Sequence, residues 1–220
     1  MITKYVDVFF TTFDDTVQYV KKNDKVKCVG PVLSSRLEDG DKQHGRSMCR
    51  FNKEKPVIMF VGGSLGAKSI NNAVIKNLEN LLEKYQIIHI CGKGQDSLAR
   101  CQGYISFEFV DKEFKDLMAL ADVVVSRSGS NAIFELLSQK KPMLLIPLPE
   151  TSSRGEQFLN AKSFQQKGFA EIVKDVDIEK DLLQAVDRVY ANRLSYVGNM
   201  EKAKWKHTSI QELFTEIINE

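Results

Sequence analysis

Apolar runs rich in β-branched and aromatic residues recur along the chain at residues 6–10, 57–61, 87–91, 105–110, 123–125 and 144–146. Runs this short with these residue types predict strands. Most are separated by segments of helical length and period. Ile70, Val74, Ile75, Leu78, Leu81 and Leu82 fall on one helical stripe. Leu117, Leu120 and Ala121 mark a shorter helix, and Ile133, Phe134, Leu136 and Leu137 another. Phe158, Ala161 and Phe164, followed by Gly168, read as a helix with its C-terminal stop. From Lys55 onward strands and helices alternate. Continuous apolar strands in such an alternation predict an α/β fold: a Rossmann-like parallel sheet with helices on both faces.

Two regions depart from this rhythm. Residues 34–54, SSRLEDGDKQHGRSMCRFNKE, are polar and charged without a clear period, and are expected to be a linker or mobile loop. Residues 1–33 hold a strand and at most one helix, too little for a core of their own. The tail from Ile178 reads as helical. Its last segment, IQELFTEII, places Ile210, Leu213, Phe214 and Ile217 on one face that needs something to dock on.

Composition narrows the function classes. Of 220 residues, 43% are hydrophobic and 27% charged, a balance that supports a buried core. The net charge of +2 gives no basic excess for nucleic acid, and the Phe residues sit in apolar runs rather than among Lys and Arg. Cys28, Cys49, Cys91 and Cys101 form no CxxC pair and share no zinc-finger spacing with His44, His89 or His207, so reduced thiols are expected. His89, inside IIHICG, is expected to be a packed histidine. No signal peptide is evident, and no apolar run approaches the roughly 20 residues of a membrane span.

In an open parallel sheet ligands bind beyond the C-terminal strand ends, so the strand-to-helix turns matter most. In FVGGSLGAKSINNA (residues 60–73) a strand runs into small residues and then a helix. Such a turn lets backbone N–H groups approach an anion at a helix N-terminus. GGSLGAKS is one residue from a P-loop, with Ala67 where glycine is needed, and a bare tight turn is the structural alternative. VVVSRSGSNAIFELL (residues 123–137) repeats the arrangement. Gly129 gives the turn, Ser or Asn the cap, and Glu135 lies about one turn into the helix. A carboxylate there could accept two hydrogen bonds from vicinal hydroxyls, or could be a solvated residue favouring the helix dipole. In IPLPETSSRGEQFLNAKSF (residues 146–164), Pro147 and Pro149 stiffen a strand exit, and Gln157 and Asn160 offer amides suited to a sugar or to a plain surface loop.

Together GGSLGAKSIN, ADVVVSRSGSNAIFELL and RGEQFLNA resemble the C-terminal domain of the bacterial peptidoglycan N-acetylglucosaminyltransferases, the MurG family. The resemblance covers essentially residues 5–220. It implies the C-terminal half of a GT-B fold: 1–33 as the remnant of an N-terminal domain and its connection, 34–54 as a polar linker, and 55–220 as a UDP-sugar-binding domain. It implies an inverting transfer of N-acetylglucosamine from UDP-N-acetylglucosamine to lipid I, giving lipid II, with no cofactor and no tightly bound metal. Glu135 would hold the ribose hydroxyls. Ser64, with the backbone at Gly63, would meet the diphosphate. Phe109 and Val110 would flank the uracil. Ser128, Gly129, Ser130 and Asn131 would lie under the diphosphate and sugar. Gln157, with Glu156 beside it, would take the sugar hydroxyls, and Asn71 would face the interdomain cleft. Glu156 stands where Gln is common, and Leu33 where Arg is common. The catalytic base, the lipid-linked acceptor and the membrane contact would belong to the absent N-terminal domain of an enzyme peripheral to the cytoplasmic face of the plasma membrane. The chain alone is then expected to bind donor without transferring sugar. Other readings are a related transferase with a different lipid acceptor, the donor-binding subunit of a split enzyme, and a P-loop-like NTPase that uses Lys68.

Overall fold

The computed structural model describes residues 7–20, 25–33, 37–63, 66–93, 101–149, 155–205 and 208–218. In chain order its first elements are β1 (Phe9–Thr11), a 3-10 helix (Asp14–Tyr19), β2 (Val26–Cys28), α1 (Lys42–Cys49), β3 (Val57–Val61), α2 (Lys68–Lys76), α3 (Leu78–Lys84), β4 (Gln86–Ile90) and β5 (Tyr104–Phe107). There follow α4 (Phe114–Leu120), β6 (Val123–Ser126), α5 (Ser130–Ser138), β7 (Met143–Leu145), α6 (Glu156–Gln166), β8 (Ala170–Ile172), a 3-10 turn (Asp175–Asp177), α7 (Ile178–Ala191), α8 (Arg193–Lys202) and α9 (Ile210–Ile218).

These elements fall into two compact units, residues 36–202 and residues 1–35 with 203–220. In the smaller unit β1 and β2 pair in parallel, and the Thr208 hydroxyl donates to the Val29 carbonyl at 2.5 Å. Residues 203–220 thus group with the first 35 residues, whereas the resemblance implied one domain over 55–220. On α9 the expected apolar residues Phe214 and Ile217 are exposed. Among the described residues no helix is long and apolar enough to cross a membrane.

The larger unit is built on a six-stranded parallel sheet in the order β5-β4-β3-β6-β7-β8. Side chains alternate across a strand, so each strand feeds two cores. Ile58, Phe60, Val123, Val125, Leu144 and Ile146 join one cluster with Ile70, Ala73 and Val74 of α2, Leu81 of α3 and Leu182, Ala185, Val186 and Val189 of α7. The alternate residues Val57, Met59, Val124, Met143 and Leu145 are equally buried, which requires cover on the other face. There α4 packs on β3, and Phe134 of α5 meets Phe164 of α6 edge-on at 5.4 Å. Burial on both faces is why these strands read as unbroken apolar runs.

The helical stripe from Ile70 to Leu82 is two helices, not one. Asn77 separates them, and its side-chain amide donates to the carbonyls of Ala73 and Glu179. This is the competition an Asn side chain offers to the helical ladder. The linker expectation for residues 34–54 fails over its central part, where α1 forms. Asp41 caps α1 by accepting from the Gln43 and His44 N–H groups. Its own N–H donates to Asp116 of α4, and His44 Nδ1 lies 2.7 Å from the same carboxylate. The face α1 buries is made of Gly45 and Cys49; a Cβ at Gly45 would come within 2.5 Å of the Asp116 carbonyl oxygen. A helix that docks through a glycine carries no hydrophobic period to read.

Candidate functional site

The sheet order reverses between β3 and β6: β4 and β5 extend one way, β7 and β8 the other. That reversal leaves a crevice beyond the carboxyl ends of β3 and β6, because the connections from the two strands depart to opposite sides. Their last residues, Val61 and Ser126, are paired in register. Directly beyond them opens a cleft of about 770 Å³.

Two helices begin on this cleft. In α2 the first full-turn bond runs from Asn71 N–H to Ala67 O, and in α5 from Ile133 N–H to Gly129 O. The N–H groups of Lys68, Ser69 and Ile70, and of Ser130, Asn131 and Ala132, therefore precede their ladders and carry the positive ends of the helix dipoles. Glycines bring the backbone there. A Cβ at Gly62 would lie 2.4 Å from the Ala67 nitrogen, and one at Gly66 2.1 Å from the Cys91 oxygen. At Gly63 and Gly129 it would meet nothing within 4 Å among the described residues. Gly62 and Gly66 shape the turn, and Gly63 and Gly129 add no side chain over it.

The remaining walls come from other strand exits. After β5, Glu108, Phe109, Val110 and Asp111 line the cleft, and Phe109 is 67% exposed. Phe114 and Met118 of α4 line it too, as do Leu148 and Gln157. Glu135, half-buried on α5, lines the cleft beside Leu136. Lys68 brings positive charge to it, and Arg127, ion-paired with Asp175, also lines it. Among the described residues no group of three His, Cys, Asp or Glu side chains could hold a metal ion.

Of the residues singled out from sequence, Gly63, Phe109, Val110, Gly129, Asn131, Glu135 and Gln157 line this one cleft. Ser64 lies outside the described residues, as do positions 150–154 of the proline-flanked loop. Ser130 opens α5 but does not line the cleft, so its contribution there is its backbone N–H. Ser128 is fully buried and its hydroxyl donates to the Gln157 carbonyl at 2.8 Å, while the Asn160 amide donates to the Ser128 carbonyl. These two side chains fasten α6 to the β6–α5 turn and face no ligand. Glu156 is exposed on the first turn of α6, away from the cleft lining. Lys68, named from sequence only for an NTPase, also lines the cleft, as do Glu108, Asp111 and Arg127, which carried no expected role. Arg127 lies inside the VVVSRSGSNAIFELL motif and Glu108 and Asp111 flank Phe109 and Val110, and those positions were the available signal.

Asn71 is the clearest correction. It faces the core rather than a cleft, and its side chain closes a buried chain of hydrogen bonds. Its Nδ2 donates to the Cys91 carbonyl at 3.0 Å, which turns Oδ1 toward His89 Nε2, also at 3.0 Å. His89 Nε2 is therefore the protonated ring nitrogen, and Nδ1 accepts from the Tyr104 hydroxyl at 3.0 Å. Burial pushes the imidazole down to about 4, which keeps this neutral tautomer. The chain ties α2 to the end of β4, beneath the Gly66 turn. Asn71→Ala leaves a buried N–H and a carbonyl unpaired and is expected to cost about 2 kcal/mol of stability. Urea unfolding measures this, and undiminished stability would return Asn71 to the ligand-facing role.

Comparison with known proteins places this geometry. Residues 57–215 match the model of the glycosyltransferase family 28 C-terminal domain. The chain belongs to that family. It is 52% identical over 195 residues to the UDP-N-acetylglucosamine–N-acetylmuramyl-(pentapeptide) pyrophosphoryl-undecaprenol N-acetylglucosamine transferase of Geobacillus kaustophilus, covering 87% of this chain and 54% of that protein. It is 44% identical over 207 residues to the same-named transferase of Clostridium botulinum, covering 93% and 58%. The chain thus spans about half the length of the curated relatives it matches. In three dimensions it is similar to Acinetobacter baumannii MurG, with TM-score 0.70 and 20% identity over 100% of this chain and 62% of that one. It is also similar to the calicheamicin glycosyltransferase CalG4, with TM-score 0.64 and 11% identity over 90% and 48%. The family expected from the motifs is the family found, and the fold is the C-terminal half of a GT-B glycosyltransferase.

Proposed function

We propose that this family 28 domain binds UDP-N-acetylglucosamine in the switch-point cleft, as the donor half of an inverting transferase that converts lipid I to lipid II. The observation that carries the reading is the convergence of two helix N-termini and one half-buried carboxylate on a single cleft. A nucleoside diphosphate sugar has matching chemistry. Its diphosphate suits the N–H groups at the starts of α2 and α5. Its ribose diol suits Glu135. Its base suits the exposed Phe109 ring and the backbone at Val110, and its sugar suits Gln157. Departure of UDP leaves negative charge on the diphosphate. Preorganised N–H dipoles favour that charge without a metal ion. The Coulombic help from Lys68 is smaller, since that side chain is exposed.

The acceptor site and the catalytic base belong, on this proposal, to the part of the relatives that lies beyond this chain. So does the contact with a lipid-linked acceptor at the cytoplasmic face of the membrane. Calorimetric titration tests the donor assignment. UDP-N-acetylglucosamine is expected to bind more tightly than UDP-glucose, and ATP not measurably. Preferential ATP binding lost in Lys68→Ala would favour an NTPase instead.

A further inference from the structure

Arg127, the first residue after β6, lines the cleft, yet its guanidinium is committed to protein groups. Its Nη1 donates to Asp175 Oδ1 at 2.5 Å and to the carbonyls of Ile146 and Pro147 at 3.1 and 3.4 Å. Its Nη2 donates to Ser69 Oγ at 2.8 Å, and Ser69 in turn donates to Asp175 Oδ1 at 2.6 Å. The Arg127 and Asp175 side chains are only 13% and 17% exposed. An exposed ion pair contributes little, but one removed from water and hydrogen-bonded at both ends fixes geometry, because breaking it strands a charge. Neither Ser69 nor Asp175 lines the cleft. Ser69 is the second residue of α2, and Asp175 opens the 3-10 turn after β8. One cation therefore spans the first turn of α2, the turn before α5, the exit of β7 and the turn after β8.

We propose that Ser69 and Asp175 are positioning residues of the donor cleft, acting through Arg127 to hold the starts of α2 and α5 at the separation a diphosphate bridges. The inference rests on the donor reading above. It assigns Arg127 a bracing role, with its charge balanced by Asp175, and leaves the helix N-termini as the anion-binding groups. Because the brace sits at the phosphate end while the base would lie against Phe109, loosening it should affect the diphosphate and spare the nucleoside.

The test titrates UDP and uridine into the wild-type chain and into Ser69→Ala, Ser69→Thr and Asp175→Asn. Ser69→Ala and Asp175→Asn are expected to weaken UDP on the order of tenfold, the effect of one charge-assisted hydrogen bond, with uridine unchanged. Ser69→Thr keeps the hydroxyl and is expected to retain wild-type UDP affinity. Equal losses for UDP and uridine would overturn the positioning role in favour of a general structural one, and so would unchanged UDP affinity in both variants. A wild-type chain that binds uridine but gains nothing from the diphosphate would instead overturn the donor reading, and the inference with it.

Discussion

Glu135→Ala is expected to weaken UDP binding by roughly 30-fold, about 2 kcal/mol, while the fold survives. The carboxylate sits on the cleft side of α5, half-buried, one turn from the helix start, so that a ligand whose phosphates meet that start brings its ribose within reach. A charged acceptor shared between two hydroxyls loses more on truncation than a neutral one. Glu135→Gln should recover only part of the loss, since the amide presents one acceptor and no charge. The 2′-deoxy nucleotide gives an internal check. It should bind the wild-type chain more weakly than UDP and the Glu135→Ala variant about as well as UDP does. If the variant retained wild-type UDP affinity, Glu135 would be a residue that merely favours the helix dipole.

Gly66→Ala should have the larger structural effect. Gly66 has φ +74°, where an L side chain is strained by about 1 to 2 kcal/mol, and its Cβ would lie 2.1 Å from a backbone oxygen that cannot swing away. That oxygen, on Cys91, is the one held by Asn71. Relief requires moving the end of β4 or the start of α2, so the total cost is expected to exceed about 3 kcal/mol. Gly63→Ala is the control. It has φ +85° but no described atom within 4 Å of the added carbon, and should cost only the backbone strain, about 1 to 2 kcal/mol. Thermal and urea unfolding of both variants separates the terms. Equal destabilisation would mean that the close approach at Gly66 relaxes easily.

These two cases mark what a sequence can disclose. The central strands were legible because burial on both faces leaves runs such as VIMFV and VVV with no polar interruption. The cleft was legible for a related reason: glycines and small polar residues between such a run and a helical period describe a strand exit by themselves, although the expected Ser or Asn cap is not formed and Gly129 is the N-cap of α5. Three-residue strands such as Ala170–Ile172 carry too few positions for any period. Helix α1 was hidden because its contact surface is a glycine, although Asp41 ahead of it was an available cap signal. Side-chain direction was the harder question. Asn71 and Ser128 belong to motifs that point to a ligand, but their side chains turn inward to close hydrogen bonds that the fold needs. The brace at Arg127 joins residues 58 and 48 positions distant in sequence, which no local pattern reveals.

The most direct test of the switch-point cleft is an amide-resolved NMR titration of this chain with UDP. The largest shifts are predicted at Gly62, Gly63 and Lys68, at Phe109 and Val110, and from Gly129 to Glu135, with the far edge of the sheet at β8 unmoved. Shifts absent from those turns, or concentrated elsewhere, would contradict the assignment of the donor site.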